Sequence, residues 1–104
     1  MRDRIEVAGF AALLRTLPGW SLMADRPAIT GRFTFRDFKS AFAFMTEVAA
    51  EAERIDHHPE WRNVWNRVDI VLTTHSAKGL TELDRQLAAF INHAAAKNGA
   101  RPNP

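Results

Sequence analysis

The stretch Ala28-Ile29-Thr30-Gly31-Arg32-Phe33-Thr34-Phe35-Arg36-Asp37-Phe38-Lys39-Ser40-Ala41-Phe42-Ala43-Phe44-Met45 changes period part-way along. Up to Phe35 the apolar residues Ile29, Phe33 and Phe35 recur at even spacing among β-formers, the signature of a strand from Ala28 to Phe35. From Phe38 onward Phe38, Ala41, Phe42, Met45, Val48, Ala49, Ala52 and Ile55 recur at the three- and four-residue steps of an amphipathic helix. Thr34 with Asp37 three residues on predicts a capping box at its start. The helix is expected to stop near Asp56, because His58 precedes Pro59 and a residue before proline is driven towards extended geometry.

The flanking segments follow from this strand-to-helix switch. Upstream, Ile5, Phe10, Leu13, Leu14 and Leu17 predict a helix from Ile5 to Leu17, ended by Pro18-Gly19. Trp20 to Met23 then forms a hairpin with Ala28 to Phe35 through Ala24 to Pro27. Downstream, Trp61 to Trp65 and Val68 to His75 read as a second hairpin, with Asn66-Arg67 as its turn because Asn accepts positive φ. Val68, Ile70, Leu72 and Thr74 share one face, while Asp69, Val71, Thr73 and His75 share a half-polar one. Thr81 and Asp84 predict a capping box for a last helix with Leu83, Leu87, Phe90, Ile91, Ala94 and Ala95 as its apolar stripe, ended by Asn98-Gly99. Residues 100–104 read as a frayed tail. The order α-β-β-α-β-β-α predicts an α+β fold, a four-stranded antiparallel sheet covered on one face by helices. Phe33, Phe35, Phe38, Phe42, Phe44 and Phe90 are expected in its core.

A chain of 104 residues has room for one domain, 1–104, and at 46% hydrophobic and 25% charged it can bury a core. Its net charge of +2, despite eleven arginines, argues against strong steering to nucleic acid. The lack of cysteine removes disulfides, thiolate metal sites and cysteine nucleophiles. No apolar run reaches the ~18–20 residues of a membrane span, and Met-Arg-Asp-Arg-Ile-Glu is unlike a signal peptide, so a cytoplasmic protein without membrane contact is expected.

Chemistry is concentrated at His57, His58 and His75, three of the four histidines within 19 residues. Three readings stay open at this level: histidines that merely decorate a loop and a strand end, a zinc site with Glu53 joining His57 and His75, and acid–base catalysis. Trp61 and Trp65 divide similarly between core packing and a stacking wall for a flat heterocycle.

The pattern Glu53-xxx-His57-His58-Pro59-x-Trp61-xx-Val64-Trp65-Asn66-x-Val68, continuing through Thr73-Thr74-His75 to Gly79-Leu80-Thr81-xx-Asp84, closely resembles the signature of the pterin-4a-carbinolamine dehydratases. Pro18-Gly19-Trp20, Phe33 to Phe38, Ala41-Phe42-x-Phe44-Met45 and the last helix extend the resemblance over roughly residues 10 to 95. It implies the same α+β fold and an enzyme that converts 4a-hydroxytetrahydropterin to quinonoid dihydropterin and water; one acid and one base suffice for that step, and with no cysteine and no complete ligand set neither cofactor nor metal is expected. The product would be reduced again for aromatic amino-acid hydroxylases, the implied pathway partners. By position, the resemblance makes His57, His58 and His75 the active-site histidines. Asp56, Glu53, Trp61, Thr73, Thr74, Ser76 and Asp84 are the corresponding candidates for holding the pterin. Homodimers or homotetramers are implied, as is a rival use, non-catalytic dimerisation or assembly with a protein partner. Trp65 stands where many relatives carry Tyr, and Leu83 where animal relatives carry Arg.

Overall fold

The computed structural model describes residues 3–101. The alternation of strand β4 (Arg67–Leu72) decides which side of the sheet is inside, since Val68, Ile70 and Leu72 are fully buried while Arg67, Asp69 and Val71 are only partly covered. β4 lies between β2 (Ile29–Thr34) and β3 (Glu60–Val64), and β1 (Trp20–Leu22) closes the other edge, giving the order β1-β2-β4-β3 with every pair antiparallel. In register, Ile29 faces Leu72, Gly31 faces Ile70 and Phe33 faces Val68, so the inner residues of both strands meet the helices. A Cβ on Gly31 would come within 3.2 Å of the Trp20 and Phe33 rings, which is why the strand has no side chain there.

Helices α1 (Val7–Leu13), α2 (Phe38–Ile55) and α3 (Glu82–Lys97) complete the α+β fold. α2 buries Ala41, Phe44, Val48 and Ala52, and packs on α3, which buries Leu87, Ala88, Ile91, Ala94 and Ala95 among others. The Phe44 ring lies 4.8 Å from that of Phe35 and 5.5 Å from that of Phe33, pinning α2 to the strand that precedes it. No helix of the described residues is long and apolar enough to cross a membrane.

Several expectations are corrected. The first helix is shorter than Ile5–Leu17: Ile5 instead bridges Leu80, and Leu14–Thr16 tighten into a 3₁₀ turn. Thr34 lies in β2 rather than in a capping box, and Asp37 itself caps α2 by accepting from the Ser40 N–H at 2.8 Å. Phe38 and Phe42 are not core; they are 47% and 55% exposed and stack on each other at 5.7 Å. The β3–β4 turn is Trp65-Asn66, with Trp65 at φ 50°, while the Asn66 side chain donates to the Phe35 carbonyl. Ala100 and Arg101 are not frayed, since the Arg101 N–H donates to the Thr34 carbonyl at 2.7 Å and Ala100 packs on the core; 102–104 lie outside the described residues.

The end of α2 sets the site. Asp56 adopts the left-handed conformation at φ 51°, ψ 48°, the His57 N–H reaches back to the Ala52 carbonyl at 3.0 Å, and the Asp56 N–H to that of Glu53 at 3.2 Å. This is the Schellman pattern, with Asp56 where glycine usually stands. It ends the helix at Ile55, where the position of Pro59 leads one to expect the stop.

Candidate active site

The Schellman turn sends His57 inward and His58 outward, as adjacent residues of an extended segment must point. His57 is 5% exposed, buried behind the mouth of the site rather than open to solvent. Its Nε2 lies 2.7 Å from Asp84 Oδ1. Asp84 is fully buried at the first turn of α3, and its Oδ2 accepts from the Thr74 hydroxyl at 2.8 Å and the Thr81 N–H at 2.9 Å. The Thr74 hydroxyl has one hydrogen, given to Asp84, so in its 2.7 Å contact with the Thr81 hydroxyl the latter donates. With Asp84 as acceptor throughout, Nε2 of His57 carries a hydrogen, which leaves Nδ1 as the ring nitrogen not engaged by the carboxylate.

The other two histidines have carboxylates of their own. His58 Nε2 is 2.6 Å from Glu53 Oε1, one helical turn back, with both side chains largely in solvent. His75 opens a 3₁₀ turn after β4, closed by paired backbone bonds between Thr74 and Gly79 and by Lys78 at φ 55°. Its Nε2 is 3.1 Å from Glu60 Oε2. Glu60, on the first residue of β3, also receives both Nη atoms of Arg26 at 2.8 Å. The Arg26 guanidinium, and secondarily His75, hold the Glu60 carboxyl below the usual carboxylate range, while Glu60 raises Arg26 in turn.

These groups surround an open pocket of about 400 Å³ lined by Asp56, His57, His58, Pro59, Glu60, Thr73, His75 and Ser76. Six residues singled out from sequence thus share one wall: Asp56, His57, His58, Thr73, His75 and Ser76. Thr73 is turned by its hydroxyl, which donates to the Pro27 carbonyl at 2.8 Å. Glu53, Thr74 and Asp84 stand behind the histidines rather than on the wall. Trp61 pairs with Ile70, packs against the core and does not line the pocket, so it offers no stacking wall there. Glu60 and Arg26 were not singled out from sequence; Glu60 adjoins Pro59 in the motif, whereas Arg26 is 34 residues from its partner and carries no local signal.

The zinc reading finds no ligand set, for Glu53, His57 and His75 bond to three different partners. Among the described residues no three His, Asp or Glu are grouped to hold a metal ion. The arrangement can present imidazoles to a small heterocycle, each steadied by a carboxylate that fixes one ring nitrogen.

The profile of the family described as Pterin 4 alpha carbinolamine dehydratase matches residues 4–94. The chain belongs to the pterin-4a-carbinolamine dehydratase family. Three bacterial members of this dehydratase family, each named "Putative pterin-4-alpha-carbinolamine dehydratase", are similar over most of their length. The Nitrobacter winogradskyi protein is 57% identical over 83% of this chain and 85% of its own. The Bordetella avium protein is 55% identical over 84% and 81%. The Bradyrhizobium sp. protein is 52% identical over 92% and 97%. Among solved structures, a Brucella melitensis transcriptional coactivator/pterin dehydratase superposes with a TM-score of 0.87 at 47% identity, covering 89% of this chain and 99% of that one. A pterin dehydratase-like protein described as a RuBisCO assembly factor in the alpha-carboxysome superposes with a TM-score of 0.65 at 26% identity, over 74% and 89%.

Proposed function

We propose that this chain dehydrates 4a-hydroxytetrahydropterin to quinonoid dihydropterin, with His57, His58 and His75 as the groups that bind it and move its protons. The observation that carries this reading is one pocket lined by all three histidines, each bonded to a separate carboxylate. The reaction breaks the C4a–O bond as the N5 lone pair forms a C4a–N5 double bond. A proton delivered to the leaving oxygen makes it water, and loss of the N5 proton gives the neutral product. One acid and one base suffice, and positioned proton transfer of this kind typically contributes about 10²–10⁴-fold. His57 and His75 are assigned to the two proton transfers and His58, tethered to Glu53, to orientation. His57 has Nδ1 available for this, since Nε2 is committed to Asp84. Asp56, Thr73 and Ser76 supply polar contacts from the wall of the pocket.

The deciding measurement is an assay with freshly generated 4a-hydroxytetrahydropterin. Quinonoid product should form faster than it does spontaneously; a rate equal to the spontaneous one would end the catalytic reading. The alternative, a non-catalytic assembly module, is favoured by the likeness to the RuBisCO assembly factor. Such a module has no chemical need for three histidines on one pocket. We also propose a homo-oligomer, in which the exposed Phe38–Phe42 pair of α2 is covered by a second copy.

A further inference from the structure

Arg26 lies in the loop between β1 and β2, outside the histidine motif, yet its fork closes on both oxygens of Glu60 at 2.8 Å. Glu60 Oε2 is shared between Arg26 Nη2 and His75 Nε2. The same loop is tied to the pocket a second time by the Thr73 hydroxyl on the Pro27 carbonyl. A bidentate guanidinium–carboxylate pair fixes both the plane and the position of the carboxylate, which a single contact to His75 would not do. It also compensates the carboxylate's charge at the point where His75 meets it. By contrast, among the described residues the Asp84 carboxylate behind His57 accepts from neutral hydroxyl and backbone donors besides the imidazole.

We propose that Arg26 is a positioning residue for His75, acting through Glu60, so that a loop distant in sequence tunes one of the two proton-transfer groups. This inference rests on the dehydratase reading for its kinetic consequence, but not for its effect on the imidazole. The charged and titratable groups facing the cluster are Arg26 and Asp25 from the β1–β2 loop, Glu60 from β3, and Asp56, His57 and His58 from the end of α2. With Arg26 neutralised, His75 faces an uncompensated carboxylate that favours its protonated form; with Glu60 neutralised, that attraction is lost.

The test reads the ¹⁵N-labelled His75 ring by NMR as a function of pH, alongside the dehydration rate, in the wild type, Arg26→Gln, Arg26→Lys, Glu60→Gln and the double variant. His75 is three-quarters exposed, so solvent limits the shift. Arg26→Gln should raise its titration midpoint, and Glu60→Gln should lower it. Adding Arg26→Gln to Glu60→Gln should then change the midpoint no further. Arg26→Gln should also cut kcat about tenfold with KM changed less than about twofold, and Arg26→Lys should restore the midpoint but only part of kcat. A His75 midpoint unmoved by Arg26→Gln overturns the proposal, as does an equal shift with and without Glu60. If the wild type has no dehydratase activity while the NMR shifts appear as stated, the functional reading fails and the positioning survives. A lower melting temperature with unchanged titration and kcat makes Arg26 a structural tie only, which also overturns it.

Discussion

His57 Nε2 and Asp84 Oδ1 meet at 2.7 Å in a region closed to solvent, and Asp84 is at the same time the residue that completes the capping box of α3. The carboxylate that orients a candidate proton carrier therefore also begins a helix. Asp84→Asn keeps the shape but replaces one acceptor by a donor that must face His57, Thr74 or Thr81. We expect a loss of about 2–3 kcal/mol, a fall of roughly 10–20 °C in Tm. A melting curve matching the wild type would contradict this network.

Removing the histidines separates enzyme from scaffold. His75→Ala, on an exposed side chain, should lower turnover about 10- to 1,000-fold with Tm nearly unchanged. His57→Ala should lose turnover and also stability, since it leaves a buried hole and takes one donor from Asp84. The double variant should lose less than the product of the single losses. His93 is exposed, and His93→Ala is the control expected to do almost nothing. Full activity in both single variants would refute the histidine mechanism.

Asp56 tests backbone and carboxylate apart. Asp56→Gly keeps the left-handed turn without strain, so Tm should hold or rise, whereas Asp56→Ala should cost about 1 kcal/mol. If the carboxylate contacts substrate, both variants should raise KM. A rise in KM for Ala alone would assign Asp56 to the turn only.

How far the sequence could be read depended on how local each signal was. The capping box at Thr81 and Asp84 and the alternation in β4 are spelled out within a few residues, and both were legible. The phase of α2 was not, because its first half carries an unusually broad apolar face: Phe38, Ala41, Phe42, Phe44 and Met45 permit two stripes, and packing against Phe35 selects the one through Phe44. Trp65 in a left-handed conformation has no sequence signal, since tryptophan is rarely found there. In the site, the histidines announce themselves by type and spacing. Burial of His57 and the reach of Arg26 to Glu60 depend on which surfaces the fold brings together.

Acid should weaken the fold. Glu47 is held below its ordinary value near 4.5 by hydrogen bonds first from Asn98 and then from Lys97, and Glu60 by Arg26 and then His75; Asp37 is lowered by the Ser40 N–H. Depressed carboxylates stabilise the fold fully above their unfolded values and lose that contribution as pH falls through the folded ones. Tm should be flat from about pH 7 to 5 and decline below about pH 4.5. A Tm constant down to pH 3 would show these contacts contribute nothing.

Self-association is checked by light scattering at micromolar concentration, where a mass well above 11.7 kDa is expected. Phe42→Asp should shift the population towards that monomer value while the pocket, which does not include Phe42, keeps its activity. A wild-type monomer would remove the role given to the Phe38–Phe42 pair.

The Thr81 cap ties the fraying of one helix to the survival of the proposed reaction. Opening the first turn of α3 releases the Leu83 N–H from the Thr81 hydroxyl and, in the same movement, withdraws Asp84 from His57. A fluctuation too small to register as unfolding would thus leave His57 free to turn its ring. Amide hydrogen exchange at Leu83 and the loss of activity on warming should follow one temperature course, ahead of the melting of the sheet.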